Sequence, residues 1–250
     1  MFWEKEIKDE FNKEDNEKGI VFSEVEKLLK MLKKTNNVRI IEIGAGSGII
    51  TLLLAQKLKF KPYLFDRSDK ALQTSYKNAN ILGVEACFIK GDVCSLPFEE
   101  NSFDFVWSGG LNEHFSGKQR QIVFNEMARI TSPEGICVLT VPNKYYLPLN
   151  VYRYISQKRN TWSFGYEEPF SKKELKERMT KAGLSNIRII EGGFFSGLIW
   201  LMLLIPILRK KVSFNHVHFK KIWNLFQYLD HKLKIIPGLG FLAYGSKYNI

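Results

Sequence analysis

Between the apolar runs Ile40-Ile-Glu-Ile43 and Ile49-Ile-Thr-Leu-Leu-Leu54 stand three glycines at alternate positions, Gly44, Gly46 and Gly48. Without a Cβ, such residues adopt turns and allow close approaches that other residues resist. A strand that ends here can therefore pass straight into a helix and leave bare backbone between them. In open α/β sheets a turn of this kind is a cradle for a ligand. A dinucleotide fold spaces its glycines Gly-x-Gly-x-x-Gly. Counted from Gly44, the third would fall at position 49, which is Ile49. Glu42, just before the first glycine, would also repel a pyrophosphate.

The rest of the chain continues the alternation that the glycine turn begins. Val38 to Ile43 reads as a buried strand and Ser47 to Leu58 as its helix. Lys61 to Asp66 is a second strand, followed by a helix from Asp69 to Leu82 and a strand from Val84 to Lys90. Phe103 to Ser108 and Gly135 to Val141 are further strands, separated by a helix from Lys118 to Ile130. Ser171 caps a helix through Lys181, and Asn186 to Glu191 is the sixth strand. Upstream, Ser23 and Glu26 have the spacing of a capping box for a helix over 22–33. A last strand is expected within Gly238 to Lys247. These periods predict an α/β fold: a doubly wound, mostly parallel, seven-stranded sheet with a helical insertion before the last strand. The 250 residues suffice for one such domain over 1–250.

Several polar features fall where strands end, which is where such sheets bind ligands. Glu42 to Gly48 closes the first strand, and Asp66 closes the second, where a carboxylate can hold a ribose diol. Asp92, after Gly91, closes the third and can accept a hydrogen bond from an adenine amino group. Ser108-Gly-Gly110 closes the fourth. Read alone, Asp66 fits equally a cap for the helix from Asp69, and Asp92 a turn. A cationic ligand without phosphates suits the glycine turn better than a dinucleotide does. S-adenosylmethionine, with its sulfonium and ammonium, is such a ligand.

The set Ile40-Ile-Glu-Ile-Gly-Ala-Gly-Ser-Gly48, Phe65-Asp66, Gly91-Asp-Val-Cys-Ser-Leu-Pro-Phe98 and Asn101-Ser-Phe-Asp-Phe-Val-Trp107 resembles the class I S-adenosylmethionine-dependent methyltransferases. The likeness is to the small-molecule branch often called type 11, over roughly residues 20–190. It implies a Rossmann-like methyltransferase sheet with S-adenosylmethionine as cofactor. The cofactor-binding residues it implies are Glu42, Gly44, Ala45, Gly46, Asp66, Asp92, Val93 and Ser108. Ser132-Pro-Glu-Gly135 stands where the family commonly has Lys-Pro-Gly-Gly, which changes only a turn. Methyl transfer requires no metal or covalent nucleophile, and His216 with His218 lacks carboxylate or cysteine partners nearby, so no metal site is expected. Glu113 and His114, just past the fourth strand, are the candidates for a general base.

Two segments remain. The link 143–170 carries Tyr145, Tyr146, Tyr152, Trp162, Phe164 and Tyr166, an aromatic density that suits a lid over an apolar or planar acceptor. Some of these rings would instead anchor the lid. Residues 194–236 combine an uncharged run, the basic Arg209, Lys210, Lys211, Lys220 and Lys221, and an amphipathic helix. That pattern suits a hairpin on an anionic membrane, or packing within the domain or across a dimer. The net charge of +11 is concentrated partly there. The charged N-terminus lacks a signal-peptide pattern, and Cys87, Cys94 and Cys137 have no disulfide spacing, which points to a cytoplasmic protein with possible membrane association. The acceptor expected is small or lipid-like. An RNA or protein acceptor, or a non-catalytic scaffold at a membrane, is the alternative. Nucleic acid is disfavoured because Ser108-Gly-Gly-Leu-Asn112 replaces the Asn/Asp-Pro-Pro-aromatic motif of base-amino methylation.

Overall fold

A parallel strand covered on both faces is buried throughout, and β1 (Ile40–Ile43), apolar except at Glu42, has all four residues buried. The computed structural model describes residues 19–32, 38–162, 164–204, 217–233 and 236–247. In chain order these form α1 (Ile20–Leu32), β1, α2 (Ile49–Leu58), β2 (Tyr63–Asp66), α3 (Asp69–Leu82), β3 (Cys87–Lys90) and β4 (Phe103–Gly109). A 3-10 turn at Asn112–His114 leads to α4 (Gly117–Ile130) and β5 (Thr131–Pro142). Then come α5 (Leu147–Lys158), α6 (Lys172–Lys181), β6 (Ser185–Gly192), the short α7 (Phe194–Gly197) and α8 (Ile199–Met202), α9 (Val217–Leu233) and β7 (Gly240–Ser246).

The seven strands lie in the order β3-β2-β1-β4-β5-β7-β6. β7 runs antiparallel to both neighbours, and the pairs from β3 to β5 are parallel. The expected architecture holds, including a helical excursion between β6 and β7, which would otherwise be a simple hairpin. Alternation along β1 sends Ile41 and Ile43 to one face, with Val123, Met127 and Leu175 of α4 and α6. Ile40 goes to the other, with Phe22, Val25, Leu53 and Leu54 of α1 and α2. The order reverses between β1 and β4, and there the strand ends open a crevice.

Two expectations are corrected. α1 begins at Ile20, so Ser23 lies inside its first turn and donates to the Ile20 carbonyl at 3.0 Å instead of capping the helix. Burial of Phe22 and Val25 against the sheet extends the helix backwards. Glu26 meanwhile pairs with Lys30 at 2.6 Å and Lys57 at 2.9 Å. β5 begins at Thr131, not Gly135. Its register with β4 passes from Phe103↔Thr131 to Phe105↔Ile136, so the Ser132–Gly135 stretch is absorbed as a bulge. Gly135 lies where a Cβ would come within 2.8 Å of the Asp104 carbonyl oxygen.

The 143–170 link and the insertion are tied to the sheet by specific contacts. Tyr146 is fully buried and donates to the Phe194 carbonyl at 2.6 Å. The Trp200 ring lies tilted against that of Tyr152 of α5, with centroids 5.1 Å apart. Asp230 of α9 accepts the backbone N–H groups of Phe195 at 2.7 Å and Ser196 at 2.9 Å. Of the hairpin expected over 194–236, residues 205–216 lie outside the described residues. Among the described residues no helix is long and apolar enough to cross a membrane.

Arg120 closes the fold around the far end of the link. Only 1% exposed, it donates to the Phe115 carbonyl at 2.8 Å, to Glu174 at 3.0 Å and to the Glu168 carbonyl. Its guanidinium lies 4.0 Å from the centroid of the Phe170 ring. Removing one partner of a buried ionic cluster strands the others. Arg120→Ala should therefore lower unfolding stability by about 3–5 kcal/mol, measured as an earlier urea transition. An unshifted midpoint would mean that water satisfies these groups.

Candidate functional site

The crevice is built around the glycine turn, and the end of β2 holds that turn in place. The Phe65 carbonyl accepts the N–H groups of both Gly44, at 2.8 Å, and Ala45, at 3.0 Å. Asp66 accepts the Gly46 N–H through Oδ2 at 2.9 Å and the Ser68 N–H through Oδ1 at 2.8 Å. From α3, Asn78 donates to the Ser47 carbonyl at 2.9 Å. Gly44 has φ +71°, which favours glycine, and a Cβ there would press on the Leu111 side chain at 2.8 Å. At Gly46 no atom lies within 4 Å of the equivalent point, which leaves open space beside the backbone.

The two readings of Asp66 resolve in part. α3 is capped by Ser68, whose hydroxyl accepts from the Ala71 N–H at 3.3 Å, not by Asp66. Asp66 organises the turn instead, and a carboxylate with one bond per oxygen retains lone pairs for a further donor. Asp92 is exposed and forms a turn, accepting the Cys94 N–H at 2.9 Å. Val93 beside it is buried in the core cluster.

Two other expected residues sit differently from a simple contact role. Ser108 is fully buried, accepts from Asn112 at 3.0 Å and faces the Met127 sulfur at 3.8 Å. Its hydroxyl is spent on the core, leaving backbone for the crevice. Glu42 lies on the α2 face of the sheet, as its alternation with Ile41 and Ile43 requires. It accepts the Thr51 hydroxyl at 2.6 Å, and Thr51 in turn accepts the Trp107 indole N–H at 2.8 Å. Burial pushes the Glu42 carboxyl up to about 8, with the Thr51 bond opposing and Asp66 adding to the rise. At neutral pH it is therefore mostly uncharged, and the repulsion of a pyrophosphate inferred from its charge loses force. The absence of the third dinucleotide glycine does not: Ile49 opens α2.

Past β4, Glu113 and His114 stand on the 3-10 turn and behave in opposite ways. His114 is exposed, and its Nδ1 lies 2.8 Å from the Tyr166 carbonyl, so one ring nitrogen is engaged by the link. Glu113 is 5% exposed, and its Oε2 is buried without a hydrogen-bond partner. Burial raises its carboxyl to about 8. Its backbone carbonyl accepts the Glu168 N–H at 2.8 Å, which fastens the link above it. From the link, Arg153 meets Glu167 at 3.5 Å. The Arg153–Glu167 pair was invisible in the sequence, because nothing in its spacing marks two link residues as meeting near the crevice. Among the described residues no group of three or more histidines, cysteines or acids could hold a metal ion.

Comparison with known proteins agrees with this geometry. Residues 41–139 match the family model described as a methyltransferase domain. Over 93 residues the chain is 34% identical to a release factor glutamine methyltransferase of Flavobacterium psychrophilum, covering 34% of this chain and 33% of the relative. It is 28% identical over 113 residues to a malonyl-[acyl-carrier protein] O-methyltransferase of Erwinia pyrifoliae, covering 44% and 39%. The chain thus spans well under half the length of these two relatives. A structure from Thermotoga maritima, a SAM-dependent methyltransferase described as a possible histamine N-methyltransferase, superposes with TM-score 0.56. It is 18% identical and the match covers 91% of this chain and 89% of that one. The fold is that of solved SAM-dependent methyltransferases, and residues 41–139 are the part that matches the methyltransferase-domain model.

The buried Glu42 carries a pH signature. Its folded value, about 8, lies above the ordinary 4.5. As pH rises through that window the unfolded chain ionises first and stability falls. Glu42→Gln keeps an oxygen for Thr51 and removes the titration. Its stability relative to the parent should therefore improve between pH 5 and pH 8 in urea unfolding. A constant difference across that range would show that Glu42 ionises normally.

Proposed function

We propose that the protein transfers a methyl group from S-adenosylmethionine to a small, apolar or lipid-like acceptor. The observation that carries this reading is the glycine turn pinned by Phe65 and Asp66, with open space at Gly46 and carboxylates at the ends of β2 and β3. Gly44, Ala45 and Gly46 would bring backbone against the cofactor. Asp66 would take the ribose hydroxyls, and Asp92 with Val93 would flank the adenine. Glu42 contributes by holding the first turn of α2 through Thr51, and Ser108 contributes backbone alone. When bound, S-adenosylmethionine supplies an already activated methyl group, so the chain's own work is alignment and exclusion of water. The 143–170 link supports an acceptor site above the crevice, since Tyr152, Trp162 and Phe164 form an aromatic cluster there. The relatives' names give a glutamine, a malonyl group and a histamine as acceptors, so they do not choose among classes.

Calorimetry should register S-adenosylmethionine and its demethylated product and no NAD. Asp66→Ala should weaken cofactor binding by about ten- to hundredfold, the loss of roughly 1.5–3 kcal/mol typical of a bond to a charged group. NAD binding without S-adenosylmethionine binding would sink the assignment. Label transferred from the cofactor into RNA or protein fractions of a cell extract would redirect the acceptor. Absence of transfer in all fractions would favour the scaffold.

A second reading concerns the insertion. On α9, Ile222, Leu225, Tyr228 and Leu233 are exposed, and Ile236 follows them. Lys221 and Lys232 are exposed on the same helix. An apolar stripe beside lysines favours peripheral contact with an anionic membrane. Because salt near 1 M shortens the Debye length to about 3 Å, anionic vesicles should release the protein partially at high salt. Replacing Arg209, Lys210, Lys211, Lys220 and Lys221 by glutamine should reduce vesicle binding and spare cofactor affinity. A protein that ignores anionic vesicles at low salt uses this stripe for packing or dimerisation.

A further inference from the structure

Two buried polar atoms have no hydrogen-bond partner, Glu113 Oε2 on the turn after β4 and Arg153 Nε on α5, and their residues meet adjacent link positions, Glu113 through the Glu168 N–H and Arg153 through Glu167. Each side chain lies close enough to register the other's charge. Buried polar groups are nearly always paired, so such exceptions call for an explanation. One orphan is a carboxyl oxygen, the other an N–H donor. A hydroxyl can satisfy both at once, donating its proton to the carboxylate and accepting from the guanidinium.

The surroundings narrow the hydroxyl's bearer. The Arg153 guanidinium lies 5.4 Å from the centroid of the Trp162 ring. Trp162 lies 4.8 Å from Phe164 and 6.0 Å from Tyr152. Glu113 Oε1 sits 3.6 Å from where a Cβ on Gly110 would be, so the carboxyl rests on the backbone just past β4. An aromatic wall on one side and the strand end on the other suit a planar ring with its hydroxyl directed at Glu113. A free carboxylate fits less well beside two acids, Glu113 and Glu167. A cationic amine fits less well beside Arg153 and Arg120.

We propose that Glu113 and Arg153 form a binding pair for a phenolic hydroxyl, in which Glu113 takes the hydroxyl proton and Arg153 holds the oxygen. This names an acceptor class for the methyl-transfer reading and rests on it. The O–H bond breaks, its proton joins Glu113 Oε2, and the electron pair stays on the oxygen as a phenolate facing Arg153 Nε–H. His114 is left as a fastening for the link, since its Nδ1 is engaged by Tyr166.

Proton transfer requires Glu113 ionised, and burial holds its carboxyl up at about 8 against the pull of Arg120 and Arg153, with Glu167 adding to the rise. The competent fraction therefore rises between pH 6 and pH 8, and apparent affinity follows it. The probe is 4-methylphenol, whose hydroxyl titrates near that of tyrosine, about 10, and is neutral across this range. Calorimetry on the full chain with S-adenosylhomocysteine bound should show its affinity rising at least tenfold from pH 6 to pH 8. 4-Methylanisole, which lacks the O–H, should bind at least tenfold more weakly at pH 8, with no such rise. Glu113→Gln and Arg153→Met should each abolish the preference for the phenol while retaining affinity for S-adenosylhomocysteine.

Equal binding of phenol and anisole by the parent protein would overturn the proposal even if both variants failed to fold. So would absence of phenol binding, a flat pH response, or tighter binding of 4-methylbenzoate at pH 6. Failure of the parent to bind S-adenosylhomocysteine would instead strike the methyl-transfer reading. Cofactor binding without phenol discrimination strikes this site alone.

Discussion

The crevice depends on three backbone N–H groups finding acceptors at the end of a neighbouring strand. Gly44, Ala45 and Gly46 donate in succession to the Phe65 carbonyl and the Asp66 carboxylate. Unpaired backbone donors beneath a ligand site would cost more than the turn could recover. Here β2 satisfies them before any ligand arrives, so the cradle is preorganised. Asp66 therefore has a structural duty and a proposed binding duty on the same carboxylate. α3, which follows it, reinforces the arrangement through Asn78 on Ser47.

How much was legible follows from which interactions are local. The apolar periods along β1, β2, β4 and β5 announce a parallel sheet, and Ser171 announces α6 through a cap made three residues away. Asp66 and the glycines are legible because the cradle uses residues at strand ends in a fixed order. Ser23 misled, because a capping box is a local pattern and burial of Phe22 outweighed it. Glu42 was readable as a position and not as a charge state. Its titration depends on Thr51 and on the sealing of the sheet by α2, which only tertiary packing supplies. Glu113 was readable as a carboxylate near the strand end, and its missing partner was not. That property is a relation among the 3-10 turn, Arg153 and Glu167, separated by about 40 to 54 positions of chain. The aromatic link divides between anchors and walls for the same reason. Tyr146 is wholly buried and bonded to Phe194, and Tyr145 beside it is 65% exposed.

Two buried acids in one domain also shape its chemistry as a whole. Burial raises both Glu42 and Glu113 to about 8, so each favours its neutral form at acidities where a surface carboxylate is already charged. Each removes a negative charge from the interior, and Cys137 is likewise held as a thiol with its value pushed up to about 12. Other buried charges are held by partners, as Arg120 is by Glu174 and Asp230 by the N–H groups of Phe195 and Ser196. Charged work concentrates at Asp66, Asp92 and the Arg120 cluster.

The insertion between β6 and β7 touches the 143–170 link through Trp200, beside Tyr152 and Phe164, and through Phe194, beside Tyr146, and Asp230 of α9 clamps α7 in turn. These contacts form a linkage with the rigid sheet as its frame. A push on the exposed stripe of α9 would pass through Asp230 to α7, and from Phe194 and Trp200 to the aromatic wall beside Arg153. The glycine cradle lies outside that train, so whatever leans on α9 would tilt the roof of the crevice and leave its floor still.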